Sequence, residues 1–316
     1  MIVPINFVLN ESKNYLGVQN RILSEIKRHL PEGSWRESSS EYIEGCLNFT
    51  LFIAKEADVL MSHGVADKNY HWKRDRQSRR YNQVRRRSHL LVPGNWLKNR
   101  IVASKSIDFG ESQVHTVGWP RLDTLLKMAE EKSVAGRAPV SSRRPKVLWA
   151  PTHDFKKKGK ERVTTSSYPE FQKYLPMLEE RFDVEVSVHP RNRASKKPTE
   201  EQLIDADYVV SDFGTIVYEA WTLGKPVIFP HWIIGEKIIK YLGRSAEAQI
   251  FRDGIGLHAM SISELMKMIS GSPVVDDQVK AFMADYLEPA YMGRSGKRTA
   301  QVLMELAEKK ASVINV

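Results

Sequence analysis

The sequence predicts an α/β protein with two parallel sheets covered by helices, and three observations carry that prediction. Short apolar runs that close on glycine, proline or a polar turn alternate with segments of helical periodicity. The alternation stops in a stretch rich in Gly, Ala, Pro and Ser, and then starts again. At 316 residues the chain is long for one hydrophobic core and comfortable for two domains of about 150 residues each.

Taken in order, "VPINFVL" and "DVLMSHG" read as strands ending in polar turns. "YLGVQNRILSEIKRHL" gives a helix after the first, and "SEYIEGCLNFTLFIAKEA", also read as helical, leads into the second. "HLLVPG" and "QVHTVG" are apolar runs closed by glycine. After Asp123, "TLLKMAEEKSVAGRAPVSSRRP" passes from a helix into a linker. The pattern restarts with strand "KVLWAP", helix "PEFQKYLPMLEERF", strand "DVEVSVHP", helix "TEEQLIDA", strand "DYVVSD", helix "TIVYEAWTLG" and strand "PVIFP". "SISELMKMISG" and "SGKRTAQVLMELAEKK" close the chain as amphipathic helices. The expected organisation is an N-terminal domain over 1–125, a linker over 126–145 and a C-terminal domain over 146–316 that keeps these last helices. Two Rossmann-like domains are expected to face each other across a cleft, with ligands at the carboxyl ends of the strands.

Composition narrows the function classes. With 41% hydrophobic and 27% charged residues the chain can bury two cores and is ordinary for a soluble protein. The single cysteine, Cys46, excludes an intramolecular disulfide and a cysteine-rich zinc site, and points to a reducing compartment. No run approaches about 18 consecutive apolar residues, and "MIVPINFVLNESKNYLG" lacks the basic start and long apolar run of a signal peptide. A cytoplasmic protein is expected, without an integral membrane segment and at most in peripheral contact with a membrane surface. The histidines show no paired i, i+4 ligand pattern and no carboxylate cluster has metal spacing, so neither metal nor cofactor is expected. "GRSGKRTAQ" lacks the preceding strand of a phosphate loop and reads as a helix start.

The net charge of +10 is concentrated. Residues 68–105 hold twelve Lys or Arg against one acid, Asp75, so this segment alone exceeds the chain's whole surplus. "KRDRQSRRYNQVRRR" is either a solvated charged face or a docking surface for a polyanion such as nucleic acid, anionic lipid or a phosphate-rich polymer.

"SDFGTIVYEAWTLGKPVIFP", residues 211–230, carries the clearest site signal. A strand ends at Ser211, Asp212 is placed to cap the next helix, and Gly214 removes a side chain where a ligand could approach the backbone. The first-turn N–H groups of Gly214, Thr215 and Ile216 then meet the positive end of the helix dipole, which suits a phosphate. The alternative is that Asp212 is only a cap and Gly214 only a turn. Glu219, four residues beyond Thr215 on the same face, is placed to accept ribose hydroxyls or is an ordinary surface glutamate.

"LMSHGVADK", "VPGNWLKNR…VHTVGWPRLD", "VLWAPTHD", "VSVHPRNR" and "DADYVVSDFGTIVYEAWTLGKPVIFP" occur in this order over roughly residues 58–230. Together they resemble the catalytic part of the CDP-glycerol glycerophosphotransferases, GT-B enzymes that build teichoic-acid and capsule-type polymers. The resemblance implies a transferase that moves glycerol phosphate, or a glycosyl group, from a nucleotide-activated donor to an acceptor hydroxyl. His63, followed by Gly64, matches the family's His-Gly step and becomes the candidate general base, with Lys68 and Arg121 on the acceptor side. His189 matches the His-Pro step and is assigned to the donor pyrophosphate or the leaving group, with Arg191 and Arg193 supplying positive charge. Thr152 of the Ala-Pro-Thr element would face the donor phosphates or only stabilise its turn, and Ser211, Asp212, Gly214 and Thr215 would face the same phosphates. Gly118, Pro120, Arg121 and Asp123 match a glycine-x-proline-arginine-x-aspartate step, in which an Arg121–Asp123 pair is the structural alternative. The basic segment 68–105 would dock a polyanionic acceptor, a glycerol-phosphate polymer or DNA.

Two departures bear on the donor. The family usually reads Thr-Asp-Tyr-Ser-Ser before a helix bearing Asp, whereas this chain has Ser211-Asp212-Phe213-Gly214-Thr215 and then Glu219. Glu219 with "LGKPVI" is similar to GT-B enzymes that use sugar nucleotides, including UDP-N-acetylglucosamine 2-epimerases. The chain is also shorter than most polymerising members, which fits single addition. A phage-type DNA-modifying glycosyltransferase, an epimerase-like enzyme and a non-catalytic polyanion-binding module are the competing readings.

Overall fold

The computed structural model describes residues 2–39, 41–67, 83–104, 108–133, 143–152, 166–168, 170–188 and 197–314. They form two compact units, one of residues 1–127 with 284–316 and one of residues 128–283.

The first unit holds a six-stranded sheet of β1 (Ile5–Leu9), β2 (Trp35–Ser39), β3 (Leu47–Thr50), β4 (Val59–Met61), β5 (His89–Val92) and β6 (Val114–Thr116), in the order β2-β1-β3-β4-β5-β6. Every pairing is parallel. Helices α1 (Lys13–Lys27), α2 (Asn95–Ala103) and α3 (Pro120–Ser133) lie between or after the strands, and the chain leaves this unit within α3. The expected strands at the first, second, "HLLVPG" and "QVHTVG" runs are present. The expected helix over 40–57 is not. Leu47, Asn48, Phe49 and Thr50 are all buried, and burial on both faces is what a central parallel strand demands. Gly45 at φ +76° sets the turn into it. Asn48 is tolerated there because Asn6 Nδ2 donates to its Oδ1 at 2.8 Å and its own Nδ2 donates to the Ile43 carbonyl at 2.9 Å.

The second unit holds β7 (Lys146–Ala150), α4 (Leu175–Glu179), β8 (Asp183–Val186), α5 (Thr199–Asp205), β9 (Tyr208–Ser211), α6 (Thr215–Thr222), β10 (Val227–Pro230), α7 (His231–Leu242), α8 (Ala246–Arg252), β11 (Leu257–Ala259), α9 (Ile262–Ser270) and the start of α10 (Asp277–Tyr286). Its five strands run parallel in the order β11-β10-β9-β7-β8. In both sheets the strand order reverses beside the first strand, between β1 and β3 and between β7 and β9. Helices at such a point leave toward opposite faces and open a crevice at the carboxyl edge.

The C-terminal boundary differs from the expectation. Residues 284–316 belong to the first unit, where α11 (Ser295–Ile314) packs on α1, β1 and β3. Ala300, Leu303, Ala307 and Ala311, at three- and four-residue spacing, are its buried face. The segment read as a linker starts inside α3, and 134–142 lie outside the described residues.

The glycine-x-proline-arginine-x-aspartate step explains this return. Asp123 Oδ2 accepts the Gly296 N–H at 2.8 Å, so its carboxylate caps α11. Gly118 sits at φ +72°, and a methyl group there would overlap the Ser295 hydroxyl. Arg121 lies with its guanidinium 5.8 Å from the Trp119 ring centre. Burial pushes the Asp123 carboxyl up to about 6, against the pull of the Gly296 and Ser295 N–H groups. Because that folded value lies above the ordinary 3.8, the contribution of this group to stability is full below about pH 4 and is lost as pH rises through 6. Asp123→Asn removes the slope, so urea unfolding at pH 5 and pH 7 should show the variant gaining about 1 kcal/mol relative to wild type at the higher pH.

Candidate functional site

Unit two brings most of the sequence-predicted donor residues to its switch point. Thr152 lies past the end of β7, while Ser211 ends β9 and Asp212 follows it; Ala150 and Ser211 are register partners. Asp212 does not cap α6. The N-cap is Gly214, without a side-chain cap bond, and Asp212 is fully buried. Its Oδ2 instead accepts the N–H of Thr152 at 2.9 Å and of Ser167 at 3.0 Å. Ser211 is also turned inward, its hydroxyl donating to the Ala150 carbonyl at 2.7 Å. Ser166 Oγ donates to the Thr152 carbonyl at 2.7 Å, and Trp149 Nε1 to Ser167 Oγ at 3.2 Å. Burial raises the Asp212 carboxyl to about 6, opposed by the hydroxyl and N–H of Ser167, the Thr152 N–H and the Ser166 hydroxyl. Sequence reasoning missed Ser166 and Ser167, since nothing in "TTSSYP" signals that they meet a residue 45 positions away.

What faces the crevice is the mouth of α6. Helix geometry leaves the N–H groups of Thr215 and Ile216 without intrahelical acceptors. The Thr152 hydroxyl is closed to solvent and has no hydrogen-bond partner among the described residues. Glu219, one turn deeper, is 2% exposed, which excludes the surface-glutamate alternative. Gly214 has φ +103° and ψ −169°, and no atom of the described residues lies within 4 Å of where a methyl group would stand. The backbone therefore requires glycine although space does not, which accounts for the missing hydroxyl. Gly214→Ser should lower stability in urea unfolding by about 1–2 kcal/mol without lowering the KM for donor.

His63 and Gly64 lie just past the carboxyl end of β4. The His63 ring stacks on Phe52, after β3, with centres 5.0 Å apart and planes 19° apart, and meets the Tyr15 edge of α1 at 5.3 Å. Two rings from neighbouring strand exits thus fix the plane of a half-buried imidazole beside the β1–β3 switch point. Arg121 lies in α3, which follows β6, and β5 separates β6 from β4 in the sheet.

Lys68, His189, Arg191 and Arg193 lie outside the described residues, as do 69–82 of the basic segment. Within the rest of that segment Arg87 is buried, donating from Nη1 to the Ala57 carbonyl at 2.8 Å and from Nη2 to that of Ile53 at 3.1 Å. Desolvation lowers its pKa, and this one cation is a clamp on the 53–57 loop, not docking surface.

Four histidines that look scattered in the sequence meet in pairs. His89 Nδ1 and His115 Nε2 are 3.2 Å apart, and the Nδ1 atoms of His231 and His258 are 3.0 Å apart. The Ile255 carbonyl, 3.1 Å from His258 Nε2, can only accept, so that nitrogen carries the proton and His231 Nδ1 donates to His258. Burial pushes His115 and His258 down to about 4. A hollow of about 820 Å³ opens at the opposite, amino edge of the second sheet among Lys132, Arg143, Arg144, Lys146, Glu179 and Asp205. Arg143 is engaged with both Asp207 oxygens at 2.7 Å and Lys132 with Asp205, Lys146 lies 3.6 Å from Glu185, and Arg144 donates to the Phe182 carbonyl at 3.1 Å.

The sequence profile of CDP-glycerol:poly(glycerophosphate) glycerophosphotransferases matches residues 49–233. The chain belongs to this family. Its members are transferases, and the activity is transfer of glycerol phosphate from CDP-glycerol. No curated protein matches the chain in sequence. The fold is similar to that of the wall teichoic acid polymerase TagF, at 14% identity and a TM-score of 0.64 over 97% of this chain and 90% of that one. It is also similar to a putative UDP-N-acetylglucosamine 2-epimerase from Listeria monocytogenes, at 10% identity and a TM-score of 0.52 over 98% of both chains. The UDP-GlcNAc 2-epimerase of Methanocaldococcus jannaschii matches at 16% identity and 0.50, over 96% of this chain and 100% of that one. These likenesses establish the α/β fold that GT-B enzymes share. Among the described residues no helix is long and apolar enough to cross a membrane.

Proposed function

We propose that this glycerophosphotransferase binds the CDP-glycerol diphosphate at the mouth of α6 and adds one glycerol phosphate per acceptor hydroxyl. The observation that carries the reading is the β7–β9 switch point, where helix N–H groups and the Thr152 hydroxyl, which has no partner among the described residues, meet over a buried carboxylate tie. A TagF variant has been soaked with CDPG, which supports the same donor. Glu219 accepts the ribose hydroxyls, and His189, Arg191 and Arg193 balance charge on the leaving group. His63 takes the acceptor proton. The acceptor oxygen then bonds to the phosphorus that carries glycerol, the bond from that phosphorus to the CMP oxygen breaks, and CMP leaves with the electron pair. The acceptor is a polyanion docked on the basic segment, and the enzyme works in the cytoplasm without a metal; the single cysteine, Cys46, is free and buried.

The test is CMP release from CDP-glycerol, with and without EDTA, using glycerol-phosphate oligomers or duplex DNA as acceptor and mass spectrometry of the product. CMP release with one added glycerol phosphate on the oligomer supports the reading, and a ladder of additions replaces single addition by polymerisation. Mass added to DNA from a sugar nucleotide, with CDP-glycerol inert, overturns it.

A further inference from the structure

We propose that Asp212 is a positioning residue for the donor: its carboxylate sets the two lips of the β7–β9 crevice and does not itself contact the diphosphate. The inference rests on the donor reading above and goes beyond it, since the sequence pattern assigns Asp212 to the ligand or to a helix cap.

The geometry separates these roles. A capping carboxylate would accept from the first turn of α6, but Asp212 Oδ2 accepts from the Thr152 and Ser167 N–H groups. Asp212 has no exposed surface, and its second oxygen, Oδ1, is closed to solvent with no hydrogen-bond partner among the described residues. A carboxylate facing two phosphates would also repel them. One oxygen holds the chain where it leaves β7, at Thr152, and again at Ser167. The Ser166 and Ser211 hydroxyls fix the flanking carbonyls of Thr152 and Ala150. Two residues beyond Asp212 the chain reaches Gly214 and the α6 N–H groups, so the same tie sets the height of the helix mouth against Thr152. Because the Thr152 N–H is already engaged, Thr152 can offer a ligand only its hydroxyl. Such supporting bonds hold a binding group within the narrow tolerance an anion site needs, and fixing Thr152 before binding removes a cost from the affinity.

The experiment measures CDP-glycerol binding by titration calorimetry, and steady-state kcat and KM, for the full chain as wild type, Asp212→Ala and Asp212→Asn, each at a temperature where circular dichroism shows it folded. Asp212→Ala is expected to raise Kd and KM for CDP-glycerol at least about 10-fold while kcat changes by less than about 3-fold. Asp212→Asn, whose amide oxygen still accepts both N–H groups, is expected to stay within about 3-fold of wild type in Kd. Tighter binding by Asp212→Asn would mean that the charge faces the phosphates, and unchanged Kd in folded Asp212→Ala would mean that the tie is irrelevant to the donor; either result overturns the inference alone. If Asp212→Ala does not fold, the Asn variant decides, a change in Kd of more than about 10-fold in either direction overturning the proposal. Absence of CDP-glycerol binding by the folded wild type overturns the donor reading and this inference with it.

Discussion

His63→Ala is expected to lower CMP release from CDP-glycerol by about 100-fold or more, the usual contribution of a positioned general base. The loss falls on kcat, because the residue acts on the acceptor proton, and donor Kd stays near that of wild type. The ring fills the space between Phe52 and Tyr15, so the alanine also leaves a gap in an aromatic cluster. His63→Gln serves as the companion, since it keeps bulk and polarity but has no nitrogen that takes a proton near neutral pH. Both variants should be equally slow while differing in thermal stability. A folded His63→Gln enzyme with wild-type kcat would remove His63 from the chemistry and leave it as a packing residue.

Gly94→Ala is expected to destabilise the first unit by about 3 kcal/mol or more, at the upper end of what overpacking costs. A methyl group at Gly94 would overlap the carbonyl oxygen of Tyr286, and backbone cannot rotate aside as a side chain can. The site is fixed from several directions: the Tyr286 hydroxyl donates to the Val65 carbonyl at 2.9 Å, its ring lies 5.5 Å from that of Trp96, and the Glu288 N–H donates to the Pro93 carbonyl at 3.1 Å. The chain at 286–288 is how the C-terminal segment enters the first unit, so the variant should loosen α11 as well. Hydrogen exchange should show lost protection along Ser295–Ile314, and a melting temperature within about 1 °C of wild type would show that Tyr286 moves away freely.

Much of the molecule was legible as pattern. Strands β1, β4, β5, β7, β9 and β10 announce themselves because a parallel strand buried on both faces is a short apolar run, and such runs stop where the chain must turn; the edge strands β6 and β8 show instead as valines alternating with polar residues. The same logic singled out Ser211, Asp212 and Gly214, since strand ends are where doubly wound sheets gather ligand groups; Glu219 was named for its spacing along the next helix and Thr152 for the family resemblance. β3 failed because "CLNFTLF" fits helix and buried strand alike when only periodicity is read. β2, "WRESS", failed because an exposed edge strand has no apolar run.

The sequence by itself determined the two α/β units and the family. Those follow from local order along the chain, where residue type and short spacing are enough. Only the tertiary structure decided which way each side chain points and which unit each helix joins. Asp212 faces Thr152 and Ser167 and leaves α6 uncapped, Asp123 closes on Gly296 at a separation of 173 residues, and His231 finds His258. These contacts depend on register across the sheet and on packing between distant segments, and neither is encoded in the spacing of neighbours along the chain.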